Sequence, residues 1–489
     1  MSIPREVELK LEIAPHQAGA LRGLLPARPR RRTLQVSTYY DTAKGAVRKA
    51  GFSLRVRESN GKYVQTIKGE GGAAGLFDRP EWETRIEGGE PDFDAIDATP
   101  LGAILTKRLR ARLEKVSVST VDRTLWLLDR QGSRIEIVLD EGTIRAGGRE
   151  CPLCELEIEL KRGESAALLD FARTLGEALP LRIGVLSKAE RGFALAAGDD
   201  KAAKSVPLVL AGEMTAARGF AAIVQACLRH FRLNEPLIVQ RRDSAALHQA
   251  RVAMRRLRSA LSLFGRTVHD ESFPALRAEL RWFTDRLGEA RNLDVFLAGA
   301  GDAPDLEAQR GALEAARERA YTDAIEAMDS QRFRALMLDL LVWAETGDWS
   351  RSDKACAPLA AFAARRLDRQ WAKVRDRGVR METLDESRRH RLRIDIKKLR
   401  YALEFMASLH CPRAGDARRF TNALEAMQEV LGHLNDMATA SALMERFAEG
   451  PAPAPPAPDR AAERKLLAKA RKHFARLIEI GPYWQELDD

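Results

Sequence analysis

The segment Glu6-Val7-Glu8-Leu9-Lys10-Leu11-Glu12 decides how the first half of the chain is read. Side chains two apart lie on one face of a strand, so Glu6, Glu8, Lys10 and Glu12 share one face and Val7, Leu9 and Leu11 the other. Three more segments repeat this division. Arg55 and Arg57 alternate with Leu54 and Val56, and Arg134, Glu136 and Asp140 with Ile135, Ile137 and Leu139. Glu155, Glu157, Glu159 and Lys161 alternate with Leu156, Ile158 and Leu160. A sheet with one wet face explains any single strand of this kind. It explains the set poorly, because runs of like charge gain nothing from exposure to solvent. Facing carboxylates and guanidiniums make sense around an enclosed space that holds hard cations and a polyanion. Carboxylate oxygens suit Mg²⁺ or Mn²⁺, and the planar fork of arginine suits phosphate oxygens.

Outward from these strands, Asn60-Gly61, Gly71-Gly72, Gly88-Gly89 and Gly147-Gly148 read as turns between antiparallel strands as far as about residue 195. From Met214 onward glycine becomes scarce and apolar residues recur at helical spacing. The expected division is a strand-rich domain over residues 1–199, a linker over 200–213 and an all-helical domain over 214–489. The stretch 450–458 alternates alanine and proline and cannot be helix, so one last helix is expected near 459–478. No run of eighteen apolar residues exists and no basic-then-apolar leader opens the chain, which makes the cytoplasm the expected address. The net charge of +10 is uneven, with about +2 in residues 1–200 and about +8 beyond, and favours anionic partners.

The ordered set of motifs in the first 195 residues resembles the CYTH, or triphosphate tunnel metalloenzyme, superfamily. Glu6-x-Glu8-x-Lys10 is followed by Tyr39-Tyr40-Asp41-Thr42, Leu54-Arg55-Val56-Arg57 and Thr66-Ile67-Lys68-Gly69. Then come Glu81-Trp82-Glu83, Arg123, Leu139-Asp140-Glu141-Gly142, the Glu155–Glu159 run and Ser187-Lys188-Ala189-Glu190-Arg191-Gly192. The resemblance implies a closed eight-stranded antiparallel tunnel with peripheral helices. It also implies metal-dependent hydrolysis of inorganic triphosphate to diphosphate and phosphate, with two Mg²⁺ or Mn²⁺ ions. On the same resemblance Glu6, Glu8 and Asp140 would hold metal with a pair from Glu155, Glu157 and Glu159. Lys10, Arg55, Arg57, Lys68, Arg123, Lys188 and Arg191 would cradle the triphosphate, with Glu6, Glu8, Lys10 and Lys68 closest to the chemistry. Glu81, Glu83 and Glu136 would orient these bases or complete a metal shell. His16, just after Pro15, reads as a surface residue, and Cys151-Pro-Leu-Cys154 lacks the second ligand pair that a structural zinc site needs.

The helical half contains an internal repeat. His248-x-x-Arg251-x-x-x-Arg255-x-x-Arg258 returns as His390-x-x-Arg393-x-x-x-Lys397-x-x-Arg400, and Leu287-Gly288 with Arg291-Asn292 returns as Leu431-Gly432 with Asn435-Asp436. On a helix, positions i, i+3, i+7 and i+10 fall within an arc of about 80°, so each set forms one basic stripe, with Leu257 and Leu399 on the opposite, core-facing side. This pattern resembles the CHAD domain, which implies a helical bundle that binds inorganic polyphosphate along its basic surface. Nucleic acid is the weaker expectation, since aromatic residues are only 6% of the chain and do not interleave with the stripes apart from Tyr401. The rival activities for the tunnel are adenylate cyclisation, thiamine triphosphate hydrolysis, or phosphate-chain sensing without catalysis.

Overall fold

The computed structural model describes residues 5–69, 75–198, 201–300, 307–409, 414–447 and 460–485; the side chains of Arg5, Glu6, Ala300, Glu307, Ala308, Glu382, Glu386, Ala414 and residues 434–447 and 460–463 fall outside this description. The chain forms two compact units, one of residues 1–203 with 329–342, the other of residues 204–328 and 343–489.

Among the described residues of the first unit nine strands form one sheet: β1 (Arg5–Glu12), β2 (Arg31–Thr42), β3 (Phe52–Ser59), β4 (Lys62–Gly69), β5 (Leu76–Ile86), β6 (Leu113–Arg130), β7 (Ser133–Ala146), β8 (Arg149–Arg162) and β9 (Arg182–Ile183). Eight of them run in the order β5-β4-β3-β2-β6-β7-β8-β1, and antiparallel pairing of β1 with β5 closes the ring; β9 adds only to β1. The expected closed eight-stranded antiparallel barrel is therefore present. Two-residue hairpins with both φ angles positive join its neighbours at Asn60-Gly61 and Gly147-Gly148, where the right-handed twist of the strands favours such turns. Gln131-Gly132 makes the same kind of turn between β6 and β7. Gly71-Gly72 lies outside the described residues.

The barrel carries its charge inside. The outward face of β2–β4 places Tyr40, Leu54, Val56 and Ile67 against Ile96, Leu101 and Leu105, which come from the short helices Phe93–Asp97 and Pro100–Ile104 and the residue after them. The helix Ser165–Ala178 packs on β8 and β1, and Leu168, Leu169, Ala172 and Leu175 on it are buried. Leu9, Leu11, Leu156 and Ile158 on those strands are buried too. With apolar side chains committed to the outside, alternation points the charged ones into the lumen. The helix Lys188–Ala197 packs on β6 and β7 and begins with a capping box between Ser187 and Glu190. Gly192 permits the close approach, since a Cβ there would fall 2.1 Å from the Ser117 hydroxyl.

The second unit is all-helical in its described regular elements. The helices Ser244–Phe264 and Glu386–Phe405 carry the two basic stripes and pack against each other. Each begins with an aspartate cap five residues before its histidine. Asp243 accepts from the Ala246 amide at 2.6 Å and Asp385 from the Arg388 amide at 2.8 Å, so the repeat includes the helix start. Leu257 and Leu399 are fully buried, as the stripe geometry requires. Val206 and Val209 are exposed, whereas Leu210 is buried and hydrogen-bonded through its backbone N–H and C=O to Ser408. The last helix runs Arg460–Ile480. No described helix is long and apolar enough to cross a membrane.

Candidate active site and a basic groove

The barrel lumen holds a cavity of about 320 Å³. Cations Lys10, Arg55, Arg57, Lys68, Arg79, Arg123, Lys161 and Lys188 line it together with carboxylates Glu8, Glu81, Glu83, Glu136, Glu157 and Glu159. Strand register explains how they meet. Lys10 on β1 lies across from Glu157 on β8, Arg123 on β6 across from Asp140 on β7, and Lys68 on β4 across from Glu81 on β5. Each of these pairs forms an ion pair: Lys10–Glu157 at 2.8 Å, Arg123–Asp140 through two bonds of 2.7 and 2.6 Å, and Lys68–Glu81 at 3.0 Å.

One end of this network is deep. Asp140 and Glu155 are fully buried and do not line the cavity. Lys188 reaches both, at 2.7 Å from Asp140 and in direct hydrogen bond with Glu155; it also bonds Glu157 at 2.9 Å. Lys10 bonds Glu155 at 3.2 Å, and Arg123 bonds Glu157 at 2.9 Å. Burial alone would lower the Lys10 and Lys188 ammonium groups. The carboxylates outweigh it, Glu155 and Glu157 for Lys10 and Asp140, Glu155 and Glu157 for Lys188, and hold both above the ordinary lysine value. Burial would likewise raise Glu157, yet Lys10, Lys188 and Arg123 hold it well below the ordinary carboxylate value. One oxygen of each of Asp140, Glu155 and Glu157 lies within 4.8 Å of the others, and Glu155 Oε2 is buried without a hydrogen-bond partner. The oxygen ligands are of the kind a hard divalent cation takes, but Lys188 Nζ already contacts all three carboxylates and a cation among them would have to displace it.

The opposite wall is short of anions. Arg55 donates to the Thr66 hydroxyl at 2.9 Å and stands 3.6 Å from Glu83. Arg57 forms no side-chain hydrogen bond or salt bridge among the described residues. Burial, then Arg55 and Arg123, push its guanidinium down to about 10, and Glu83 offsets this only in part. Arg191 stands apart from the cavity, paired with Glu12 at 2.5 Å and 3.8 Å from Glu155. The Glu6 side chain lies outside the described residues. The structure adds Arg79, which the sequence reading passed over: it is buried and ion-paired to Glu8 at 3.0 Å. Its signal was its place on one face of β5 with Glu81 and Glu83. Glu81, Glu83 and Glu136 all face the lumen. His16 is exposed, and Cys151 and Cys154 are free thiols on β8.

In the helical unit a groove of about 920 Å³ lies among the helices Ser244–Phe264, Leu359–Gly378 and Glu386–Phe405. Arg255, Arg258, Arg266, Arg277, Arg366, Arg369, Lys373, Arg393, Lys397 and Lys398 line it, and none of its lining residues is acidic. Burial together with surrounding cations lowers Arg366 and Lys398. Four stripe residues reach this groove: Arg255, Arg258, Arg393 and Lys397. Arg251 lies by a smaller cavity; His390 is exposed and lines neither space. Arg400 is bonded to Gln428 at 2.9 Å and stacked 4.4 Å over Tyr401, again off the groove. Arg366, Arg369 and Lys373, spaced i, i+3 and i+7 on a third helix, were not among the expected site residues.

A charged-lumen barrel ahead of a basic helical bundle defines the class, and comparison with known proteins agrees. A CYTH domain model matches residues 4–193 and a CHAD domain model residues 222–445. The chain belongs to the proteins in which a CYTH domain is followed by a CHAD domain. It is 32% identical over 196 residues to the inorganic triphosphatase of Haemophilus influenzae, an alignment covering 39% of this chain and 55% of that one. The chain thus spans about half the length of the curated relative it matches. The CHAD domain from the plant Ricinus communis is 31% identical, covering 59% of this chain and 98% of that one with a TM-score of 0.47. A Hippeastrum protein described as having a dominant triphosphatase activity is 19% identical, covering 40% and 96% with a TM-score of 0.29.

Two tests follow from the charges. Removing the Arg57 guanidinium while keeping its apolar stem, in Arg57→Met, is expected to stabilise the ligand-free barrel by on the order of 1 kcal/mol. Native-state hydrogen exchange of β3 and β4 amides measures this, and faster exchange in the variant would contradict it. His248 is pushed down to about 4 by burial, then by Arg291, Arg255 and Arg251. Its folded value lies below the unfolded one of about 6.5, so the unfolded chain binds the extra proton between them. Its contribution is complete above pH 6.5 and is lost as pH falls toward 4, by about 1 kcal/mol given its partly exposed ring. His248→Asn should flatten the dependence of the urea midpoint on pH in that window.

Proposed function

We propose that the barrel hydrolyses inorganic triphosphate with Mg²⁺ or Mn²⁺, and that the helical unit binds inorganic polyphosphate in its acid-free groove. The observation that carries the tunnel reading is the unpartnered Arg57 beside Arg55 in a lumen that also collects carboxylates. A guanidinium whose Nε is buried without an acceptor is costly unless a ligand supplies an anion, and phosphate oxygens match its geometry. The inorganic triphosphatase similar to this chain supports tripolyphosphate as the substrate.

Metal that must touch substrate phosphates belongs with carboxylates at the cavity surface. Among the three candidate glutamates, Glu157 and Glu159 line the cavity and Glu155 does not, so Glu157 and Glu159 with Glu8 would hold it. Glu6 would complete the acidic set, while Asp140, buried off the cavity like Glu155, would hold Arg123 and Lys188 in place. A bound Mg²⁺ or Mn²⁺, in two copies on our reading, supplies charge neutralisation and lowers the pKa of the attacking water. The chain's own residues do the positioning. Arg55, Arg57 and Lys68 would hold phosphate oxygens from one wall, and Lys10, Arg123 and Lys188 from the other. Ion pairs with Asp140, Glu155 and Glu157 fix the second group before substrate arrives, so little reorganisation is left for the reaction. Water attacks the terminal phosphorus in line with the departing diphosphate, whose developing charge these cations offset. No histidine or cysteine lines the cavity among the described residues, and none is needed.

Glu8→Gln keeps an oxygen that can accept from Arg79 but removes the charge. Phosphate release from tripolyphosphate by the full chain should fall to background while circular dichroism shows a folded protein, with a lowered thermal midpoint because Arg79 loses its counter-charge. Persistent hydrolysis would remove Glu8 from the metal set. For the groove, Arg255→Glu combined with Lys397→Glu should weaken polyphosphate binding and flatten its salt dependence, because fewer counterions are displaced. Unchanged affinity across a salt series would overturn the groove assignment.

A further inference from the structure

A second cavity, of about 340 Å³, opens between the helices Ser244–Phe264 and Phe273–Ala300. Arg251, Arg255, Arg258, Thr284, Gly288 and Asn292 line it. Gly288 and Asn292 belong to the repeated Leu-Gly element of the sequence, so both halves of the first repeat converge on one space. Arg255 and Arg258 also line the large groove, so the two spaces meet at these residues.

The cavity differs from the groove in its chemistry. Arg251 donates only to backbone carbonyls, at 2.7 Å to Gly288 and 3.5 Å to Leu287, and forms no salt bridge among the described residues. Burial, then Arg255 and Arg291, lower it to about 10. Yet Asp285 and Glu289 stand at the same cavity, whereas the groove has no acid. An internal unit of a phosphate chain is fully ionised and offers only acceptors, so it is repelled by neighbouring carboxylates. A terminal phosphoryl group keeps a second proton with a pKa of about 6 and can donate it to a carboxylate while arginines hold its other oxygens.

We propose that this cavity is an end-recognition site, holding the terminal phosphoryl group of a linear polyphosphate while the chain leaves across Arg255 and Arg258 into the groove. The inference rests on the polyphosphate reading of the helical unit. Gly288 keeps the space open: a Cβ there would lie 3.7 Å from the Arg251 guanidinium, and a longer side chain would extend into the cavity.

The test compares binding of linear polyphosphate with free ends and the same chain with both ends capped as alkyl phosphoramidates, which leave each terminal phosphorus singly ionised and without a titratable hydroxyl. Full-length protein is titrated calorimetrically with chelator present, so that the barrel does not consume the ligand. The free-ended chain should bind about tenfold more tightly. Gly288→Leu and Asn292→Ala should each abolish that preference and leave capped-chain affinity unchanged, whereas Lys373→Ala should weaken both ligands equally. Asn292 is exposed, so its variant guards against misfolding of the glycine variant. Equal affinity for the two chains in the unaltered protein would overturn the end site alone. Failure of both chains to bind would overturn the polyphosphate reading, and the end site with it.

Discussion

Closure of the barrel by β1 and β5 is the constraint on which the rest depends. In an open sheet, Glu155, Glu157 and Glu159 would be solvated, and their mutual repulsion would be screened at little cost. Once β1 pairs with both β8 and β5, Glu157 and Glu159 face a confined lumen, Glu155 is buried beside it, and each needs a counter-charge. Lys10 and Lys188 answer by bridging two and three carboxylates respectively, and Arg123 bridges two of the same three, Asp140 and Glu157. The same closure sets Arg79 against Glu8 from the strand that completes the ring. On the β7–β8 side the ions neutralise one another; on the β3 side Arg57 is left over. That asymmetry gives the cavity a direction before any ligand enters it.

The two units treat anions by different physics. Mixed signs in the lumen permit metal and phosphate to be held together, with positions fixed by cross-strand register. The groove of the helical unit collects cations from four helices without acids, and burial together with the repulsion among them lowers Arg366 and Lys398. Such a surface gains affinity from any dense anion and releases counterions in proportion to its charge. Register selects in the first case; charge density attracts in the second.

Much of the barrel was legible because strand alternation has a period of two and the turn pairs carry their own conformational signature. Alternation shows that Glu6 to Glu12 has one charged face but not whether that face meets water or a lumen; only the ordered motifs of the CYTH resemblance supplied closure. Gln131-Gly132 escaped notice because glutamine rarely adopts the positive φ of 48° found there. Arg79 sits between Asp78 and Pro80, a context that reads as a solvated turn until β1 is laid beside it. The groove was half legible for a related reason. Helical spacing fixes which residues share a face, but not which helix covers that face. So Arg393 and Lys397 reach the groove while Arg400, on the same stripe, is held by Gln428 and Tyr401. Arg366, Arg369 and Lys373 look like any exposed arginine-rich face in a chain with 80 lysines and arginines.

The duplication adds a final step to this reasoning. Both copies keep an aspartate cap five residues before the histidine and the same basic stripe, so the local sequence builds the same helix twice. The surroundings then diverge. The first stripe lies against the helix that carries Asp285 and Glu289, which sets Arg251 in a small mixed-charge cavity. In the second, Arg393 and Lys397 open onto a space without acids. Because Arg255 and Arg258 border both spaces, a ligand long enough to occupy the groove meets two electrostatic environments along one path. Repetition supplied the cations, and the neighbouring helices differentiated them.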